Sequence, residues 1–139
     1  MAHFSYSITV SKNTTAATLE SLMMRLTYGL ITFVQIIIPD GQKACTHVRI
    51  KYHEFQLYPL SRGYWYEGDG VRIEFKDMFP VITPPYELKA EGYNTSEDYD
   101  HAMYMHFTVQ RPEELGYSEM PAFVMQKLYS LIGKEYEVT

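Results

Sequence analysis

The chain has 139 residues, 46% hydrophobic and 21% charged, which bounds it to one globular domain with one core. Twelve basic against seventeen acidic residues give a formal charge of -5, and Lys and Arg stand singly, which argues against a nucleic-acid surface. No run approaches the roughly 18 to 20 apolar residues of a membrane span, no basic and apolar leader follows Met1, and the single cysteine, Cys45, excludes an internal disulfide framework or a multi-cysteine zinc site, so a soluble protein made in a cytoplasm is expected.

Period-two alternation is the dominant signal along the chain. From His3 to Val10, Phe4, Tyr6, Ile8 and Val10 share one face and Ser5, Ser7 and Thr9 the other, a half-buried strand that ends in the polar stretch Ser11 to Thr15. Leu19 to Tyr28 fits a helical stripe (Leu19, Leu22, Met23, Leu26) as well as a strand (Leu22, Met24, Leu26, Tyr28), and the strand is preferred. Leu30 to Ile38 is β-branched and apolar on both faces, which marks a central strand. Pro39-Asp40-Gly41 stops it with turn chemistry.

Val48 to Tyr52 and Phe55 to Tyr58, joined by His53-Glu54, form a tight hairpin or one bent strand, closed by Pro59. Arg62 to Gly70 places Tyr64-Trp65-Tyr66 among glycines, so a loop carrying large rings is expected. Val71, Ile73 and Phe75 give another strand, and Pro80, Pro84 and Pro85 are expected to forbid regular pairing from Met78 to Pro85. Tyr86 to Tyr93 resumes the strand pattern, Asn94 to Asp100 is a polar loop, and Met103, Met105, Phe107 and Val109 alternate with Tyr104, His106, Thr108 and Gln110 in the last strand. After Pro112 the rhythm changes: Ser118 and Glu119 precede Pro121 as a helix start would, and Val124, Leu128, Leu131 and Ile132 recur at helical spacing.

The predicted architecture is all-β: an antiparallel β-sandwich over residues 1–111, jelly-roll-like with seven or eight strands, and a tail over 112–139 carrying one short amphipathic helix.

The candidate chemical sites are sparse. His47 and His53 would share a polar strand face near Glu54, but there is no His-x-His and His101 and His106 point to opposite faces, so surface histidines are favoured over a metal site. Cys45 and His47 are conceivable nucleophilic partners, with no orienting third group and no Gly-x-Ser-x-Gly elbow. The Glu67 to Gly70 turn and the Glu97 to Asp100 loop could hold calcium, although solvated acidic loops are commoner. Phosphate-loop motifs are absent, and the sequons at Asn13 and Asn94 read as chance. No cofactor and no enzymatic activity are expected.

The informative feature is Tyr64-Trp65-Tyr66, because alternation sends at least one of three consecutive rings outward, where it suits a protein partner or the face of a sugar. The apolar stripe of the tail helix either docks on this domain or on a neighbouring subunit. Tyr64, Trp65, Tyr66, Phe123, Val124, Leu128, Leu131 and Ile132 are therefore the candidate partner-binding residues.

The segment Gly29 to Gly41, with Val48-Arg49-Ile50, Gln56-Leu57-Tyr58-Pro59, Trp65, Gly68-Asp69-Gly70, Pro85 to Lys89, Gly92-Tyr93-Asn94 and His101, resembles small virion proteins of tailed viruses known mainly from environmental sequences. That resemblance implies a jelly-roll head decoration or minor capsid protein, acting as a homo-oligomer such as a trimer on the major capsid protein, with a terminal arm reaching a neighbour. Both termini lie outside the matching segment, so which one serves as the arm stays open. The alternative is a carbohydrate- or receptor-binding module that uses the aromatic loop as a stacking platform.

Overall fold

The computed structural model describes residues 1–136, with side chains described through Ser130. The strands are β1 (Ala2–Val10), β2 (Glu20–Arg25), β3 (Gly29–Ile38), β4 (Thr46–Tyr52), β5 (Phe55–Tyr58), β6 (Tyr66–Glu67), β7 (Val71–Val81), β8 (Glu87–Asn94) and β9 (His101–Gln110), followed by a 3-10 turn at Pro112–Leu115 and one helix, α1 (Ala122–Tyr136). Leu19 to Tyr28 is resolved in favour of the strand, and His53-Glu54 in favour of the hairpin, with both residues left-handed as a two-residue hairpin turn requires.

All pairings are antiparallel and nested: β1 with β9, β2 with β8, β3 with β7, β4 with β5. A long hairpin rolled up along its length produces this pattern. The result is two sheets, β1-β9-β3-β7 facing β2-β8-β4-β5, which is the strand order of a jelly roll. The two-residue β6 is an addition to the eight nested strands. It pairs with the first half of β4 while β5 pairs with the second, so the two lie end to end along one edge and residues 59–65 loop out between them.

Alternation puts Ile8, Val10, Val34, Ile36, Ile38, Met103, Met105 and Phe107 against Met24, Val48, Ile50, Tyr52, Leu57 and Leu88 across the sandwich, all buried. Small residues in β8, Ala90 and Gly92, let the sheets close at one end: a Cβ on Gly92 would lie 3.0 Å from Val10 Cγ1 and 3.0 Å from the His47 carbonyl. The bulge between Ile31 and Phe33 shifts the facing of β3 by one residue. Beyond the bulge Val34, Ile36 and Ile38 face the core while Phe33 and Ile37 are half-buried on the other face, so β3 reads as apolar on both.

One expectation changes. Pairing does not stop at Met78, because β7 runs on to Val81 with Pro80 opposite Leu30. The strand is at the edge of its sheet, and an edge proline need only turn its missing N–H away from the neighbour. Of the two dockings open to the tail helix, the structure has the one on this domain. Helix α1 lies across the β7 and β5 edges, the open side of the sandwich, with Val124 1% and Leu128 2% exposed and Leu128 in the same buried cluster as the strands.

Candidate functional site

The Arg62 to Gly70 segment is built around Gln56. Its side-chain amide donates to the carbonyls of Pro59 (2.7 Å), Ser61 (2.9 Å) and Tyr64 (3.0 Å), which fixes the loop from the inside. The three rings then part company. Tyr64 is 69% exposed. Trp65 lies on the outer face of the second sheet, with the Arg49 guanidinium 4.1 Å over its ring and Tyr93 edge-on at 4.9 Å. Tyr66 sits opposite Val48 and packs against the core; burial, then the neighbouring Asp77 carboxylate, raise its phenol pKa. A stacking platform of three rings is thus not assembled.

Outward residues of β4 and β8 extend this site. Tyr93 stacks on His47 at 4.3 Å, and His47 Nδ1 pairs with Glu67 at 2.8 Å. Arg49 lies directly opposite Glu91, with Nε donating to Oε1 at 2.8 Å, and Lys51 and Lys89 approach the same carboxylate at 3.2 and 3.6 Å. The register also sets Lys51 against Lys89, a like-charge pair that costs stability. Glu91 between them, and Glu54 on Lys89 at 2.7 Å, offset that cost. Burial pushes the Glu91 carboxyl up, but hydrogen bonds from Arg49 and Lys51 and their charges outweigh it, so its pKa lies below the ordinary value. For His47 burial dominates and lowers the pKa, with Glu67 opposing.

Both shifts weaken the fold in acid. Glu91 adds stability that is complete above its ordinary 4.5 and lost as pH falls through the lower folded value. His47 is held neutral, so the unfolded chain gains its proton first as pH drops below 6.5 and the folded state loses ground until the folded pKa is passed. Urea midpoints should therefore fall in two stages, below pH 6.5 and again below 4.5, and His47→Gln should abolish the first stage alone.

The edge covered by α1 is the second place where candidate residues meet. At the β3 bulge, Asp77 accepts from Tyr58 Oη at 2.6 Å and forms an ion pair with Lys127 of α1. Burial first, and the Asp77 charge second, push the Tyr58 phenol well above its usual pKa. Leu60 of the loop and Lys127 of the helix flank one cavity of about 320 Å³ here. Of the candidate partner-binding residues on the helix, Val124 and Leu128 are buried against this domain's own strands, whereas Phe123 is 57% exposed beside Tyr117. The side chains of Leu131 and Ile132 lie outside the described residues.

The remaining candidates separate. His53 sits in the hairpin turn, its Nε2 3.1 Å from the Thr83 carbonyl, and does not share a face with His47. Among the described residues no three His, Cys, Asp or Glu converge as metal ligands. Asp69 Oδ1 accepts the amides of Gly41 and Gln42, and Asp100 Oδ1 that of Lys12, so these acidic loops use carboxylates to hold neighbouring turns. Asn94, in a sequon, is fully buried.

The charge network on β4 and β8 was missed in the sequence. Its trace is the like parity of Arg49 and Lys51 and of Lys89 and Glu91, but only the pairing of two distant strands brings them together. The chain matches no protein-family model, and no curated protein is significantly similar to it in sequence.

Proposed function

We propose that this chain is a virion structural protein, a head decoration or cement protein that binds between capsid subunits of a tailed virus. The observation that carries this reading is the set of large apolar side chains left exposed, Leu60 and Tyr64 on the loop and Phe123 on the helix, on a jelly roll whose two sheets already share a buried core. Exposed aromatic side chains of this kind are the usual anchors of protein interfaces, and the sequence resemblance supplies the shell as the partner. The mechanism is mass action: a protein that binds only the assembled shell stabilises it by its binding free energy. A closed homo-oligomer, such as a trimer, suits a symmetric shell. No cofactor enters the reading. A glycan-binding role is the weaker alternative, since Tyr64 alone of the three rings stands open to solvent.

The test is co-sedimentation with shells assembled from the major capsid protein of a tailed virus that carries this chain. Saturable binding and a raised shell melting temperature are expected, both reduced at least about tenfold in apparent affinity by the Tyr64→Ala/Phe123→Ala double variant, as loss of one or more anchors predicts. A well-folded wild-type protein that leaves the shells unchanged would sink the reading.

A further inference from the structure

The sandwich has edges at β1, β7, β2 and β5, and three of them are guarded against further pairing. On β7 the register slips between Lys76 and Phe79, Pro80 lacks an N–H, and α1 lies across the strand. Strand β5 is only four residues long and is also met by the helix. Strand β2 has six residues, with Glu20 and Arg25 at its ends. Bulges, prolines, charges, shortness and covering helices are the devices that keep a sheet edge from pairing with another chain.

The edge at β1 has none of them. The strand keeps unbroken register with β9 over nine residues, from Ala2 opposite Val109 to Val10 opposite His101. It contains no Lys, Arg, Asp, Glu, Pro or Gly. Apart from that ladder and the bond from Asn94 Nδ2 to the Val10 carbonyl, the backbone of Ala2–Val10 has no hydrogen-bond partner among the described residues. An antiparallel ladder uses the N–H and C=O groups of alternate residues on each side, so a full row of them faces away from β9. Phe4 and Tyr6 point toward the core yet stay only half-buried at this open flank.

We infer that β1 pairs with β1 of a second copy of this chain, antiparallel about a two-fold axis beside Tyr6, so that the β1-β9-β3-β7 sheets of two copies join into one. The composition of the strand selects this occupant. About that axis Phe4 meets Ile8 of the other copy, Tyr6 meets Tyr6 and Ala2 meets Val10 on the inner face, while Ser5 meets Ser7 and His3 meets Thr9 on the outer face. Aromatic and β-branched pairs and hydroxyl pairs stabilise such a ladder, and the strand brings no like charges into opposition. The contact is isologous and closes at two copies, which removes the bare edge from both. β1 is the edge of its sheet opposite β7, where the helix lies, so the inference goes beyond the shell reading and stands without it.

Sedimentation equilibrium of the purified chain tests this. A monomer–dimer equilibrium is expected. Ser5→Lys/Ser7→Lys sets two pairs of ammonium groups opposite each other and should weaken the dimer at least about tenfold. Ser5→Glu/Ser7→Glu should do the same, and mixing the two variants should restore a dimer that contains one of each. Both positions are exposed, and the bond from Ser5 to His106 is the one side-chain contact given up, so circular dichroism should show both variants folded. Tyr64→Ala/Phe123→Ala should leave the dimer unchanged, so that the shell reading can fail while this one stands. A wild-type chain still monomeric at about 1 mM, the weak end of specific association, overturns the inference. So does association that survives both charged variants, or a mixture of the two that stays monomeric.

Discussion

Leu128→Ala is expected to lower the unfolding free energy by about 3 kcal/mol, within the range for truncating a buried leucine. The side chain is 2% exposed and belongs to the cluster that includes Leu57 and Tyr58, so the hole opens into the common core rather than under a detachable arm. Urea unfolding should remain a single transition, with β signal and helix signal lost together. A loss under about 1 kcal/mol, or helix signal lost first, would mean that α1 is held only at its surface. Phe123→Ala, five residues earlier and exposed, should stay within about 0.5 kcal/mol. That pair of results also bears on the proposed rim, because it separates residues that hold the helix from residues it presents.

Asn94→Ala is the second large effect, about 2 to 3 kcal/mol. Asn94 is completely buried at the end of β8; its Nδ2 donates to the carbonyls of Tyr99 (2.8 Å) and Val10 (3.3 Å), and its Oδ1 accepts from the Ser96 amide at 2.9 Å. Truncation strands two carbonyls and an amide at a site where β1, β8 and the loop into β9 meet, and each unmet group carries a desolvation cost of about 1 to 3 kcal/mol, part of which water recovers. Asn94→Asp should be worse at pH 7 than at pH 4, since a charged carboxylate faces two carbonyls and a protonated one can still donate. Thermal unfolding at both pH values measures the difference; an Asn94→Asp variant equally stable at both would refute this account of the pocket.

What could be read in advance follows from the range of the forces involved. Strands β1, β4 and β9 were legible because inside and outside alternate within each segment, as in Met103, Met105, Phe107 and Val109, and β3 because its β-branched run is apolar on both faces. The reach of β7 through Pro80 was not, because a proline's tolerance depends on which neighbour the strand lacks, a fact of the sheet and not of the segment. The same holds for the candidate site. Tyr64-Trp65-Tyr66 was visible as three rings, but their separate destinations are decided by Gln56 and Arg49, which only folding brings beneath them. Helix α1 was foreseen from its stripe; its docking partner was not, since an apolar face does not name what covers it.

The nesting of the strands has a consequence for how the protein is made. Ala2 pairs opposite Val109, so β1 has no hydrogen-bonding neighbour in its sheet until the ribosome has reached β9. Each layer waits for a late strand, β9 in one and β8 in the other, and folding governed by such distant pairings is slow, on the order of milliseconds to seconds. A nascent or truncated product lacking β9 bares both β1 and the apolar flank of β3, leaving sticky edges that invite aggregation.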